Sequence, residues 1–149
     1  MLSWSEFTEA TPNLASFGKR RLEGRIAYFA TIRSNGSPRL HPVSPFIANN
    51  HLFVYMEPTS PKVHDLRRDA RYTMHCAVED SSGGQGEFLI SGKAIEVNNE
   101  KTRKEAFDHA RRIGYNPQER YILFELKIEE AMSTMYEGTE VKRDKWKSV

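Results

Sequence analysis

Residues 26–62 read IAYFATIRSNGSPRLHPVSPFIANNHLFVYMEPTSPK, and most of the architecture can be worked out from them. Arg25 to Arg33 is dense in aromatic and β-branched residues, which favour a pleated, half-buried strand. Asn35–Gly36 follows, and this pair suits a type I′ turn, which needs positive φ at both central positions. The chain then returns as a second strand from Arg39 to Ile47. Pro42 and Pro45 cannot donate ladder hydrogen bonds, so this strand is expected at an edge or locally broken there. Asn49–Asn50 turns the chain into a third strand, Leu52 to Met56. Ser60–Pro61 opens a short helix, with Val63 and Leu66 inward and Asp65, Arg67, Arg68 and Asp69 outward.

Working outward, Ser3 and Glu6 have capping-box spacing for a short first helix. Thr11–Pro12 starts a second helix that ends near Gly24. Beyond residue 62, Tyr72 to Val78 reads as a fourth strand and Asp80 to Gly86 as a mobile glycine-rich loop. Glu87 to Val97 is a fifth strand with a bulge expected at Gly92. Glu100 to Ile113 is an amphipathic helix with Ala106, Phe107, Ala110 and Ile113 on its apolar face. Tyr121 to Ile128 alternates as a sixth strand, and Ala131 to Tyr136 and Val141 to Trp146 supply one or two more. Many short strands with few helices point to a small, mainly β antiparallel barrel.

The chain has 149 residues, so a single domain over 1–149 is expected. Hydrophobic residues make up 38% and charged residues 28%, as in an ordinary globular protein. A net charge of +2 gives no general argument for nucleic-acid or membrane binding, so any basic site must be local. The only cysteine, Cys76, excludes an internal disulfide and a cysteine-based zinc site. Together with an N-terminus lacking a basic and apolar leader, this places the expected setting in the cytoplasm. No apolar run is long enough to span a bilayer.

Chemistry concentrates at two points of the opening stretch. Arg39 and His41 alternate on one strand and so share a face. Ser60 and Lys62 sit in the first turn of a helix. A lysine there opposes the helix dipole, which prefers anions. The cation makes better sense if it shares an anion with the free N–H groups of the helix start. Two cations, a hydroxyl and a helix N-terminus form a phosphate pocket if folding brings them together. Taken singly, each residue is ordinary: a solvated hairpin arginine, a plain N-cap, a packed strand histidine. The five histidines show no metal-ligand spacing. No nucleophile stands beside a base. The mixed cluster Arg67, Arg68, Arg71, Asp65 and Asp69 reads as a solvated helix face, the alternative being a place near the same anion as Lys62.

At these residues the sequence resembles the pyridoxamine 5′-phosphate oxidase-like flavin-binding split barrels. The phrases are Ala30–Arg33, Asn35–Val43, Leu52–Tyr55, Thr59–Val63 and Leu66–Asp69, in order and at matching spacing. The resemblance spans about Leu14 to Trp146. It implies a six-stranded antiparallel split barrel of the FMN-binding type, forming a homodimer with cofactor sites at its interface. It further implies that Arg39, Ser60 and Lys62 hold the cofactor phosphate, with Thr59 near the ribityl chain or the phosphate. His41, Pro42, Val43 and Ser44 would lie along the isoalloxazine ring, and Trp146 would reach toward the partner's flavin. True pyridoxamine phosphate oxidases carry a C-terminal Arg-x-His pair. This chain has Arg143–Asp144–Lys145–Trp146–Lys147 instead, which argues against vitamin B6 oxidation.

The function so implied is an FMN-binding oxidoreductase. Two alternatives stand beside it: an F420-dependent reductase of the same fold, and a flavin- or haem-binding protein without turnover.

Overall fold

The computed structural model describes residues 1–149. The elements run α1 (Trp4–Ala10), α2 (Pro12–Leu22), β1 (Ala27–Ile32), β2 (Pro38–Val43), β3 (Phe46–Ala48) and β4 (His51–Met56). They continue with α3 (Pro61–Arg68), β5 (Arg71–Cys76), β6 (Glu87–Glu96), α4 (Glu100–Arg112), β7 (Ile122–Glu137) and β8 (Glu140–Lys147). All pairings are antiparallel, in the order β2-β1-β5-β6-β7-β4-β3, with β8 on a free stretch of β7. The two ends of that path, β2 and β3, are joined by only Ser44 and Pro45. The sheet must therefore roll round on itself until its ends nearly meet. The break expected at the prolines is thus the seam of the barrel.

The interior is one large apolar cluster including Phe29, Leu52, Met74, Phe88, Ile90, Phe124 and Leu126, each essentially inaccessible. Phe29 and Tyr72 stack at 5.2 Å within it. A smaller cluster of Phe46, Phe53, Leu123, Ala106 and Ala110 lies where α4 covers the outside of β3, β4 and β7. Helix α1 carries the expected capping box between Ser3 and Glu6.

Several expectations are corrected. There are eight strands, not six, because the seam splits one strand and β8 is added. The two segments expected at 121–128 and 131–136 are a single strand, β7. Asn35–Gly36 does not form a type I′ turn. Gly36 alone is left-handed (φ 85°), and its N–H bonds Arg33 O at 2.9 Å, so the turn is centred on Ser34–Asn35. The two-residue turn with both central residues left-handed is Asn49–Asn50 (φ 47° and 72°), closed by the Ala48–His51 pair. Ile113 is exposed rather than packed. The loop expected to be mobile is braced at its end: Arg21, itself buried, donates to Gly86 O (3.3 Å) and Gln85 Oε1 (3.1 Å).

The bulge expected at Gly92 is present, with the β6–β7 register shifting between Ser91 and Gly92. A Cβ on Gly92 would stand 2.0 Å from Lys127 O, so the close backbone approach admits only glycine.

Candidate functional site: a cationic corner beside the barrel seam

Strand β2 lies at an end of the sheet, and its side chains alternate. Pro38, Leu40 and Pro42 face out, while Arg39, His41 and Val43 turn the other way. Helix α3 follows β4 and packs on β1. It brings Lys62 close enough to act, with Arg39 and Arg33, on the ionisation of His41. Burial chiefly, then the charges of Lys62 and Arg39, push the imidazole below its ordinary pKa, with Asp65 opposing. His41 is therefore neutral near pH 7.

Ser60 is the N-cap of α3, yet its hydroxyl caps nothing. It accepts from Lys62 Nζ at 3.0 Å and keeps its own hydrogen to donate. Pro61 has no N–H, and the Val63 amide bonds Ser60 O at 3.0 Å. The Lys62 amide, in the first turn, has no partner within its own helix. Lys62 is half-buried, which lowers its pKa. It forms no ion pair, whereas its neighbours Arg39 and Arg68 both pair with Asp65. A half-buried, carboxylate-free lysine at a helix start is a cation in want of an anion.

Arg39 is held differently. Its Nε donates to Asp65 Oδ2 at 2.6 Å, and its Nη atoms have no partner. Asp65 was expected to face solvent; it is 2% exposed. Oδ2 also accepts the Thr31 hydroxyl at 2.7 Å, and Oδ1 accepts Arg68 at 3.2 Å. Burial pushes the Asp65 carboxyl up, but the bonds from Arg39, Thr31 and Arg68 bring it below the usual range. Sequence reasoning missed Asp65 and Thr31 as parts of this corner. The available signal was the i,i+3 spacing from Lys62 to Asp65, which puts both on one helix face.

The remaining candidate residues are spread more widely. Thr59 is exposed in the turn before Ser60. Pro42 is exposed on the outer face, and Val43 is buried in the core, so it can offer a ligand only backbone. Ser44 opens onto a separate groove of about 250 Å³ with Ile26, Phe46, Ile113 and Tyr115. Trp146 sits on β8 opposite Ala131, edge-on to Phe7 at 5.1 Å. Strands β1, β5, β6 and β7 separate it from β2 within one chain. It lines a larger groove, about 450 Å³, with Leu89, Met132 and Lys145. No group of three or more acidic, histidine or cysteine side chains could hold a metal ion.

No family model matches the chain, and no curated protein matches it in sequence. Solved structures do. One is a haem-binding protein from Mycobacterium smegmatis, with TM-score 0.67 and 12% identity over 89% of this chain; the chain spans 57% of that protein's length. Another is HutZ, the haem storage protein from Vibrio cholerae, with TM-score 0.59 and 17% identity over 80% of this chain and 89% of that one. A third is a candidate pyridoxamine 5′-phosphate oxidase from Listeria innocua, with TM-score 0.64 and 10% identity over 80% and 94%. At these identities the likeness is one of fold: the chain has the pyridoxamine 5′-phosphate oxidase-like split barrel.

Proposed function

We propose that the chain binds FMN through its phosphate and acts as a flavin-dependent oxidoreductase. One observation carries this reading: half-buried Lys62, paired with no carboxylate, stands at the start of α3 in the same corner as Arg39. The donor set fits a phosphate. Lys62 Nζ supplies a point charge, and the free edge of Arg39 can grip two oxygens. The Ser60 hydroxyl and the Lys62 amide are further donors. The neutral ring of His41 and the backbone freed at Pro42–Pro45 lie next along the seam, where the tricyclic ring would rest, with Thr59 beside the ribityl chain. When bound, the flavin supplies hydride or electron transfer, and this chain supplies binding and orientation.

The site is completed by a second copy of the chain. The outer sheet face carries a run of cross-strand neighbours, Pro42, Tyr28, His75, Leu89 and Met132, from β2 to β7. Leu40 is 66% exposed beside it, and Ile26 and Tyr28 are 45% and 44% exposed. Apart from His75, which is paired with Glu87, the run is apolar, and an exposed apolar run of this kind marks a protein contact. Trp146 alternates with Lys145 and packs on Phe7 and the core, so its side chain lies on the sheet face away from Met132.

A second reading is favoured by two structural relatives whose names record haem. In this chain His75 is committed at both ring nitrogens, to Cys76 O (2.6 Å) and Glu87 (3.2 Å). His51 is held by Glu125 at 2.5 Å. His41, His64 and His109 have no hydrogen-bond partner, and of these His41 is the one that shares the corner with Lys62 and Arg39. An F420-dependent reductase would use the same phosphate corner. Titration of the purified protein with FMN, haemin and F420 separates the three. FMN binding with an altered flavin spectrum supports the proposal, whereas a Soret shift with no flavin binding replaces it by the haem reading.

A further inference from the structure

Asp65 is the most deeply buried charged side chain of the corner, and its contacts are unequal. Oδ2 takes two short bonds, from Thr31 Oγ1 (2.7 Å) and Arg39 Nε (2.6 Å). Oδ1 takes one longer bond, from Arg68 (3.2 Å). Thr31 is itself 2% exposed, so the carboxylate is clamped from β1 and from its own helix before it meets Arg39. Arg39 is thus gripped at the inner nitrogen of its guanidinium only. Because that group is planar, fixing Nε fixes the plane and direction of the Nη edge. That edge has no protein partner and belongs to the same corner as Lys62 and His41.

We infer that Asp65 is a positioning residue, which orients the Arg39 fork toward the phosphate of the bound ligand through the Thr31–Asp65–Arg39 relay. The inference rests on the phosphate corner proposed above. It runs against the simple charge argument. Asp65 is an anion in an anion-binding corner, so if charge alone mattered, its removal would strengthen phosphate binding. If orientation matters more, its removal weakens binding, because a free arginine must be ordered again when the ligand arrives.

The sign of the effect therefore decides the question. The test compares FMN with riboflavin, which lacks the phosphate, in the wild-type protein and in Asp65→Asn. We expect the preference for FMN over riboflavin to fall about 10- to 100-fold, the worth of one or two charge-assisted hydrogen bonds. Riboflavin affinity should hold, which a merely structural role for Asp65 would not permit. An unchanged or increased FMN preference in Asp65→Asn overturns the inference. Should that variant not fold, Arg39→Lys carries the same test. It keeps the cation but has no planar fork for Asp65 to aim, and full retention of the preference would show that orientation is irrelevant. The two levels fail separately: a wild-type protein that does not prefer FMN to riboflavin removes the phosphate corner itself.

Discussion

At the scale of single residues, the corner is a balance of four charges around one neutral imidazole. The alternation of β2 placed Arg39 and His41 on one face, and the helix signal at Ser60–Pro61 placed Lys62 in a first turn. Both features were readable because period and capping are local properties. Asp65 was not, because an acidic side chain on a short helix is by default solvated. It is buried only because three donors from β1, β2 and its own helix converge on it, and that convergence is tertiary. The nearness of Lys62 to His41 is checked by titration. Burial and the three cations disfavour the imidazolium, so removing one cation must raise the pKa. Lys62→Ala should move the His41 pKa upward, toward the ordinary histidine value, in an NMR titration of the ring proton. An unmoved His41 resonance would separate Lys62 from the corner.

At the scale of elements, turn chemistry was legible in kind but not always in place. Asn35–Gly36 and Asn49–Asn50 both signalled a change of direction, and the chain does turn at both, but not with the type I′ geometry expected at Asn35–Gly36. Only Asn49–Asn50 closes a two-residue hairpin. At Asn35 the side chain instead accepts from the Ser37 amide at 3.0 Å and hydroxyl at 2.7 Å, which supports a longer loop. The continuity of β7 through Glu129 and Glu130 was hidden, because two adjacent charges resemble a break. They are tolerated since Glu130 pairs across to Lys147 on β8 at 3.3 Å. The bulge in β6 was readable from a lone glycine in a strand, and its necessity is testable. Gly92→Ala should cost about 2–4 kcal/mol, in line with overpacking against a rigid backbone. Chemical denaturation measures this, and a loss below about 0.5 kcal/mol, the range of an ordinary surface change, would mean that the β6–β7 approach is looser than described.

At the scale of the whole molecule, the sequence showed strand number only approximately and strand order not at all. Order depends on which non-local edges pair, and no local pattern encodes that. The proline seam was the exception: it marked where the sheet's two ends meet, and the candidate corner lies beside it. No helix is long and apolar enough to cross a membrane. The exposed apolar run on the outer face predicts a dimer in solution. Leu40→Glu together with Tyr28→Glu should shift sedimentation equilibrium to the monomer while leaving the circular dichroism of the barrel intact. A wild-type protein that sediments as a monomer at high concentration would remove the second copy from the site. The central claim, that the corner grips a phosphate, is tested most directly by titrating FMN and riboflavin into wild-type protein and into Arg39→Ala/Lys62→Ala. Loss of two charge-assisted contacts should weaken FMN about 100-fold or more, with riboflavin bound as before. Equal FMN affinity in the folded double variant would contradict it.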